Sequence, residues 1–180
     1  GVNTTLISGP SNLAFAKGLK IKKITTADEM LSEVKKTLPV DLAVCAAAVT
    51  DFKSAEKKIN KIKKENINSK FINFVQNEDI LEYVSKNNKH RPRLVAGFSA
   101  ETENIIKNSI NKMKQKNCDL MFANDVSQKD IGFNSDYNKI SIIDKKGNIK
   151  MIPKNKKSFI ANKIAEILLN KLLIDDKNIN

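Results

Sequence analysis

Asp41-Leu42-Ala43-Val44-Cys45-Ala46-Ala47-Ala48-Val49-Thr50-Asp51-Phe52 is apolar on both faces from Leu42 to Val49. A short apolar run bounded by polar residues reads as a strand, Asp41 to Val49, and two-sided apolarity is the habit of an interior parallel strand covered by helices. The run ends in small residues. Alanines leave backbone N–H and C=O groups open to a ligand, and the carboxyl edge of a parallel sheet is where open α/β folds bind. Lys61-Ile62-Lys63-Lys64 begins ten residues after Asp51 and supplies positive charge where a nucleotide's phosphates would lie.

Working outward, Thr4 to Ser8 reads as a short strand closed by Gly9-Pro10, and Lys20 to Ile24 as a second. Thr26-Ala27-Asp28-Glu29 is a capping box; Ala27, Leu31, Val34 and Leu38 follow at helical spacing, so residues 27–38 are expected to be a helix stopped by Pro39. Residues 52–68 are polar, lysine-rich and aperiodic, which predicts a loop or flap. Phe71, Ile72, Phe74 and Val75 form the next expected strand, and Asn77 is placed to cap a helix carrying Ile80, Leu81 and Val84. Leu94 to Phe98 is a further buried strand, Glu103 to Lys116 a helix, and Asp119 to Ala123 another strand. A hairpin (Lys139–Asp144 and Ile149–Ile152, turning at Lys146-Gly147-Asn148) precedes a final helix with Phe159, Ile160, Ile164, Ile167 and Leu168 inside. The pattern predicts a single Rossmann-like α/β domain over residues 1–180, with a mostly parallel sheet, helices on both faces and a late antiparallel hairpin.

The net charge of +12 comes from lysines spread along the chain, interleaved with asparagine and isoleucine, without a clustered basic stripe; most of the eight Phe fall in apolar strand patterns and Trp is absent. That argues against a nucleic-acid interface and leaves a few lysines for phosphates and the rest for solvent. No apolar run approaches the roughly 20 residues that span a bilayer, and Gly1-Val2-Asn3-Thr4 lacks the layout of a signal peptide, so a cytoplasmic location without membrane association is expected. Cys45 and Cys118 sit beside Val44 and Leu120 and read as small packing residues. Neither has metal-ligand spacing to His90, so no residue is assigned to a metal.

In chain order, Thr5-Leu6-Ile7-Ser8-Gly9-Pro10, Thr26 to Met30, Ala46 to Asp51, Lys61 to Lys64, Asn77-Glu78-Asp79-Ile80, Gly97 to Thr102, Ala123 to Ser127 and Gly132-Phe133 resemble the phosphopantothenoylcysteine synthetase (phosphopantothenate–cysteine ligase) domain of the bacterial bifunctional coenzyme A biosynthesis protein. Each motif alone is weak; eight in order along nearly the whole chain are specific. The resemblance implies a reaction in which CTP, with Mg²⁺, activates the carboxylate of 4′-phosphopantothenate as an acyl-cytidylate, and the amine of cysteine then displaces CMP. Such chemistry asks for Lys and Mg²⁺ around phosphorus rather than a protein nucleophile, so the absence of a Ser/His/Asp or Cys/His constellation does not oppose it.

By the family pattern the nucleotide meets Ala47, Ala48, Asp51, Lys61, Asn77, Asp79, Ile80, Phe98, Lys112 and Lys116. Ala47 and Ala48 lie against cytosine or ribose, Asp51 accepts from the nucleotide, Phe98 is an aromatic at its strand tip, and Lys112 and Lys116, four apart on one helix face, point toward the phosphates. Each has a plainer reading. Asp51 also suits a turn, Phe98 a core, the lysines a solvated face, and Asn77 a helix cap. Asn124 and Asp125, after a buried strand, suit ligand orientation and strand termination alike. The family's earlier strand, glycine-rich turn and asparagine-bearing segment have no counterpart in the sequence, so the catalytic residue is unassigned and an N-terminally incomplete domain, inactive by itself, is expected. An FMN-dependent decarboxylase is implied only if such a domain precedes Gly1. A homodimer or higher oligomer is implied too, with the late hairpin available as an edge. The other readings are a non-catalytic oligomerisation or regulatory subunit, and a generic nucleotide or nucleic-acid binder.

Overall fold

A computed structural model describes residues 2–56, 72–87, 89–127, 131 and 135–177, the last three by their backbone alone. The Lys61–Lys64 run, Phe71, Gly132-Phe133 and most of the expected 52–68 loop lie outside the described residues. In chain order the elements are β1 (Thr5–Ser8), β2 (Lys20–Lys23), α1 (Ala27–Thr37), β3 (Leu42–Cys45), β4 (Phe52–Ser54), β5 (Phe74–Gln76), α2 (Ile80–Lys86), β6 (Leu94–Glu101), α3 (Ile105–Lys116), β7 (Leu120–Asp125), β8 (Tyr137–Asp144), β9 (Ile149–Lys156) and α4 (Lys157–Lys177). They fall into two compact units, one of residues 1–37 and 47–79, the other of 38–46 and 80–180.

In the first unit β1 and β2 pair in parallel, Thr5 opposite Lys20 and Ser8 opposite Lys23. The capping box forms as the sequence predicts. Glu29 Oε2 accepts from the N–H groups of Thr25 (2.7 Å) and Thr26 (3.2 Å), while Thr26 Oγ1 accepts from Glu29 N–H (3.2 Å). One backbone donor of the first helical turn and two just before it are thereby satisfied, and α1 buries Met30 and Leu31. The start of the expected loop is instead a strand: β4 pairs antiparallel with β5, Phe52 opposite Gln76 and Ser54 opposite Phe74. Phe52, Ile72 and Phe74 are more than 60% exposed, so the two-stranded ribbon has an open apolar face.

The second unit holds a five-stranded mixed sheet, order β3-β6-β7-β8-β9, parallel through β7 and antiparallel beyond. This is the expected α/β class with its late hairpin. Strand parity separates two layers. Leu94, Ala96, Leu120, Phe122, Ile140 and Ile142 pack with Ile160, Ile164 and Leu168 of α4 on one face. On the other, Ser99 Oγ lies 2.6 Å from Ser109 Oγ of α3, and Gly97 faces Leu81 of α2. Helices thus cover both faces. Cys118 is fully buried, and burial pushes its thiol up to about 11, which suits an inert packing residue.

Two expectations need correction here. β3 is shorter than the apolar run and is an edge strand among the described residues, with β6 its one strand neighbour and Val44 exposed. Phe159, expected inside, is 43% exposed, because α4 turns Ile160, Ile164 and Leu168 to the sheet.

Gly97 has a packing reason to be glycine: a Cβ there would sit 2.5 Å from Leu81 Cδ2. Gly97→Ala is expected to destabilise the fold by about 1–3 kcal/mol in denaturant unfolding. Because the two sites touch, the Gly97→Ala, Leu81→Ala double variant is expected to cost less than the sum of the singles. Strict additivity would contradict the contact.

Candidate functional site

The expected site residues divide between the units, Ala47, Ala48, Asp51, Asn77 and Asp79 in the first, Ile80, Phe98, Lys112 and Lys116 in the second. Lys61 lies outside the described residues.

In the first unit, chain leaving the alanine run is stitched to the chain entering α2. Asn77 N–H donates to Asp51 C=O (2.8 Å), and Asn77 Nδ2 donates to Thr50 C=O (2.8 Å) and weakly to Thr50 Oγ1 (3.4 Å). Ala47, Ala48 and the Asp51 side chain are exposed beside this stitch, and Asp79 is half-buried. Asn77 is 8% exposed, and its Oδ1 is buried without a donor among the described residues. The bond to Thr50 C=O fixes which end of the carboxamide is the amine. The helix-cap role expected of Asn77 is not what forms: α2 begins at Ile80, and the Asn77 side chain is committed to Thr50. A small-residue turn with an unpaired acceptor at its base is chemically suited to a flat polar ligand carrying an N–H donor.

In the second unit the residues part company. Ile80 is buried at the start of α2. Phe98 is not at a strand tip; β6 continues to Glu101, and the Phe98 ring packs 5.0 Å from that of Phe122, tilted by 44°. Phe98 therefore belongs to the layer under α4.

Lys112 and Lys116 lie in the C-terminal half of α3. That helix returns about 18 Å from the carboxyl edge of β6 toward the start of β7, so Lys116 sits at the amino edge of the parallel strands. There Lys116 Nζ donates to Glu82 Oε2 (2.8 Å), and Lys86 holds Oε1 (2.6 Å). The structure does not bring these lysines to the sheet edge where phosphates were expected. The pattern of two lysines four apart was legible in sequence; the acidic partner 34 residues away was not.

Hydrogen bonds from Lys116 and then Lys86 hold the Glu82 carboxyl down at about 2, below its ordinary 4.5. A depressed folded value means that the stability it contributes is complete above the unfolded pKa near 4.5 and is lost as pH falls toward 2. Glu82→Gln is expected to flatten that part of the acid limb in unfolding midpoints measured across this window. Identical acid limbs in the two proteins would contradict the pairing.

At the carboxyl edge of the sheet, sequence reasoning left Asn124 undecided. Its Oδ1 is buried with no donor among the described residues, while Asp125 Oδ1 accepts from Ser127 N–H (3.0 Å) and Oγ (2.6 Å). Among the described residues no three His, Cys, Asp or Glu side chains are grouped to hold a metal ion, and no helix is long and apolar enough to cross a membrane.

The profile of the DNA/pantothenate metabolism flavoprotein C-terminal domain matches residues 1–172. The chain is 39% identical over 170 residues to the coenzyme A biosynthesis bifunctional protein CoaBC of Borreliella burgdorferi, covering 93% of this chain and 42% of that protein. To the Escherichia coli K12 protein of the same name it is 36% identical over 183 residues, covering 99% and 44%. It thus spans less than half the length of these relatives. The crystal structure of a CoaBC C-terminal domain superposes with a TM-score of 0.75 at 23% identity, covering 97% of this chain and 76% of that one. A Cab2 variant solved with phosphopantothenate-cysteine gives 0.63 at 16% identity, covering 89% and 56%. These matches bear out the resemblance drawn from the motifs, and the fold agrees: the chain belongs to the family of the DNA/pantothenate metabolism flavoprotein C-terminal domain, that of the C-terminal part of CoaBC.

Proposed function

We propose that this chain carries a ligase site that joins 4′-phosphopantothenate to cysteine at the expense of CTP, giving phosphopantothenoylcysteine in coenzyme A biosynthesis. The observation that carries the reading is the family match along residues 1–172, supported by a similar fold solved with phosphopantothenate-cysteine. A free carboxylate is a poor electrophile. Its oxygen attacks the α-phosphorus of CTP, pyrophosphate leaves, and the amine of cysteine then displaces CMP from the acyl-cytidylate to form the amide.

The open backbone at Ala47 and Ala48 admits the base and ribose, Asp51 accepts from the nucleotide, and the unpaired Asn77 Oδ1 suits a donor such as the exocyclic amine of cytosine. Lys61 meets the phosphates. Mg²⁺ would be held chiefly by the triphosphate oxygens and would offset their charge. FMN would serve a decarboxylase part of a bifunctional polypeptide rather than these residues. The test, run on the intact native polypeptide, omits one reactant at a time: product is expected only when CTP, 4′-phosphopantothenate, cysteine and Mg²⁺ are all present, and ATP is not expected to replace CTP. Equal turnover with ATP, or none with CTP, would overturn the reading.

The open face of Phe52, Ile72 and Phe74 is read as the surface on which copies associate, since an isolated two-stranded ribbon is marginal in water. Phe74→Lys is expected to lower the mass found by light scattering to that of one chain. An unchanged mass would remove the ribbon from the interface.

A further inference from the structure

The Asp51 side chain is exposed, and among the described residues its carboxylate accepts no hydrogen bond and joins no ion pair. Its direction is therefore set by its backbone. A peptide unit is planar, and two such planes meet at the Asp51 Cα, one carrying the Thr50 C=O and the other the Asp51 C=O. Both carbonyls accept from one residue. Asn77 Nδ2 donates to the first and Asn77 N–H to the second, each at 2.8 Å. Holding both planes fixes φ and ψ of Asp51, and with them the line from Cα to Cβ along which the carboxylate leaves the chain.

We infer that Asn77 is a positioning residue that acts through Asp51: its backbone and side-chain donors clamp the two peptide planes and aim the Asp51 carboxylate before the nucleotide arrives. The inference rests on the ligase reading above and adds a division of labour within the first unit. Asparagine suits the task. Any residue but proline has the backbone N–H, so the side chain supplies the specific half of the clamp. An aspartate would bring no donor to the Thr50 C=O, and a leucine would fill the space without one. Asn77 is 8% exposed, so water is poorly placed to replace a lost bond. The clamp is also held in register. Beyond it Phe52 pairs with Gln76 and Ser54 with Phe74, and Ala55 N–H donates to Asn73 C=O (2.8 Å). The ladder of β4 and β5 thus carries Asn77 to its place opposite Thr50 and Asp51. An acceptor aimed in advance loses little freedom when its ligand binds, and in this way a hydrogen bond spent on backbone raises affinity for a nucleotide.

The experiment is a double-mutant cycle on the intact native polypeptide, with kcat/KM for CTP measured in wild type, Asn77→Ala, Asp51→Ala and the double variant. With Asp51 present, the factor by which Asn77→Ala lowers kcat/KM is expected to be about tenfold larger than in the Asp51→Ala background, where there is no carboxylate to aim. A direct contact of Asn77 with the base, or a general loosening of the fold, multiplies both backgrounds alike and leaves no excess. Equal factors, or no loss in Asn77→Ala, would therefore overturn the inference. A second measurement needs no variant to fold. In nucleotide-free wild type, NMR is expected to show the Asn77 side-chain N–H exchanging with water at least about tenfold more slowly than those of exposed asparagines. Exchange at the rate of exposed asparagines would mean no standing clamp and would overturn the inference as well. If the wild-type polypeptide makes no product with CTP, the ligase reading fails and takes this inference with it; a working enzyme with an additive cycle sinks the inference alone.

Discussion

Asp119→Ala is expected to destabilise the folded chain by about 2–4 kcal/mol, the largest effect on stability anticipated for any polar position. Asp119 Oδ2 accepts from Val95 N–H (2.7 Å) and from Arg91 Nη2 (2.9 Å), and Lys145 Nζ lies 2.8 Å from Oδ1. Arg91 in turn donates to the carbonyls of Ser85 (2.8 Å), Pro92 (2.9 Å) and Asn117 (3.2 Å). One carboxylate and one guanidinium therefore tie together the ends of α2 and α3 and the starts of β6 and β7. Removing the carboxylate strands the fully buried Val95 N–H and leaves a half-buried arginine without its counter-ion. Asp119→Asn is expected to cost less, because an amide oxygen still accepts from Val95. Urea unfolding of the three proteins checks this; equal midpoints for wild type and Asp119→Ala would refute it.

The largest effect on activity is expected at Lys61 and Asp51. Lys61→Gln is expected to lower kcat/KM for CTP by about 100-fold, the usual loss when one charge positioned on a developing phosphate anion is removed. Asp51→Ala removes an acceptor on the nucleotide and is expected to lower it by about 10- to 100-fold. Both variants should unfold at wild-type denaturant concentrations, since the Asp51 side chain is exposed and what it gives the fold is its backbone C=O to Asn77. Steady-state kinetics of the intact native polypeptide with CTP varied decides the matter. Wild-type values in both would sink the assignment of the alanine run as the nucleotide's seat.

Much of this fold was legible because local chemistry announces it. Thr26 and Glu29 formed the reciprocal cap their spacing predicts, and the turn at Lys146-Gly147-Asn148 joins two paired strands. What misled was apolarity without its address. Leu42 to Val49 is apolar on both faces, yet composition does not count strand neighbours, and β3 has one among the described residues. Ile72 and Phe74 read as strand residues and Phe52 as the start of a loop, yet all three are exposed in the folded chain. Phe98 and Lys116 carry the family's residue types, but a ring partner at position 122 and a carboxylate at position 82 are tertiary facts that no local pattern encodes. The orphaned oxygen of Asn77, among the described residues, was invisible for the same reason: an unpaired group is defined by everything around it.

The central claim is that CTP activates the acid through its carboxylate oxygen. The most direct measurement uses 4′-phosphopantothenate labelled with ¹⁸O in both carboxylate positions and follows the label by mass spectrometry. The account predicts one labelled oxygen in the CMP formed with each molecule of phosphopantothenoylcysteine. Unlabelled CMP, or label appearing in inorganic phosphate beside CDP, would contradict it.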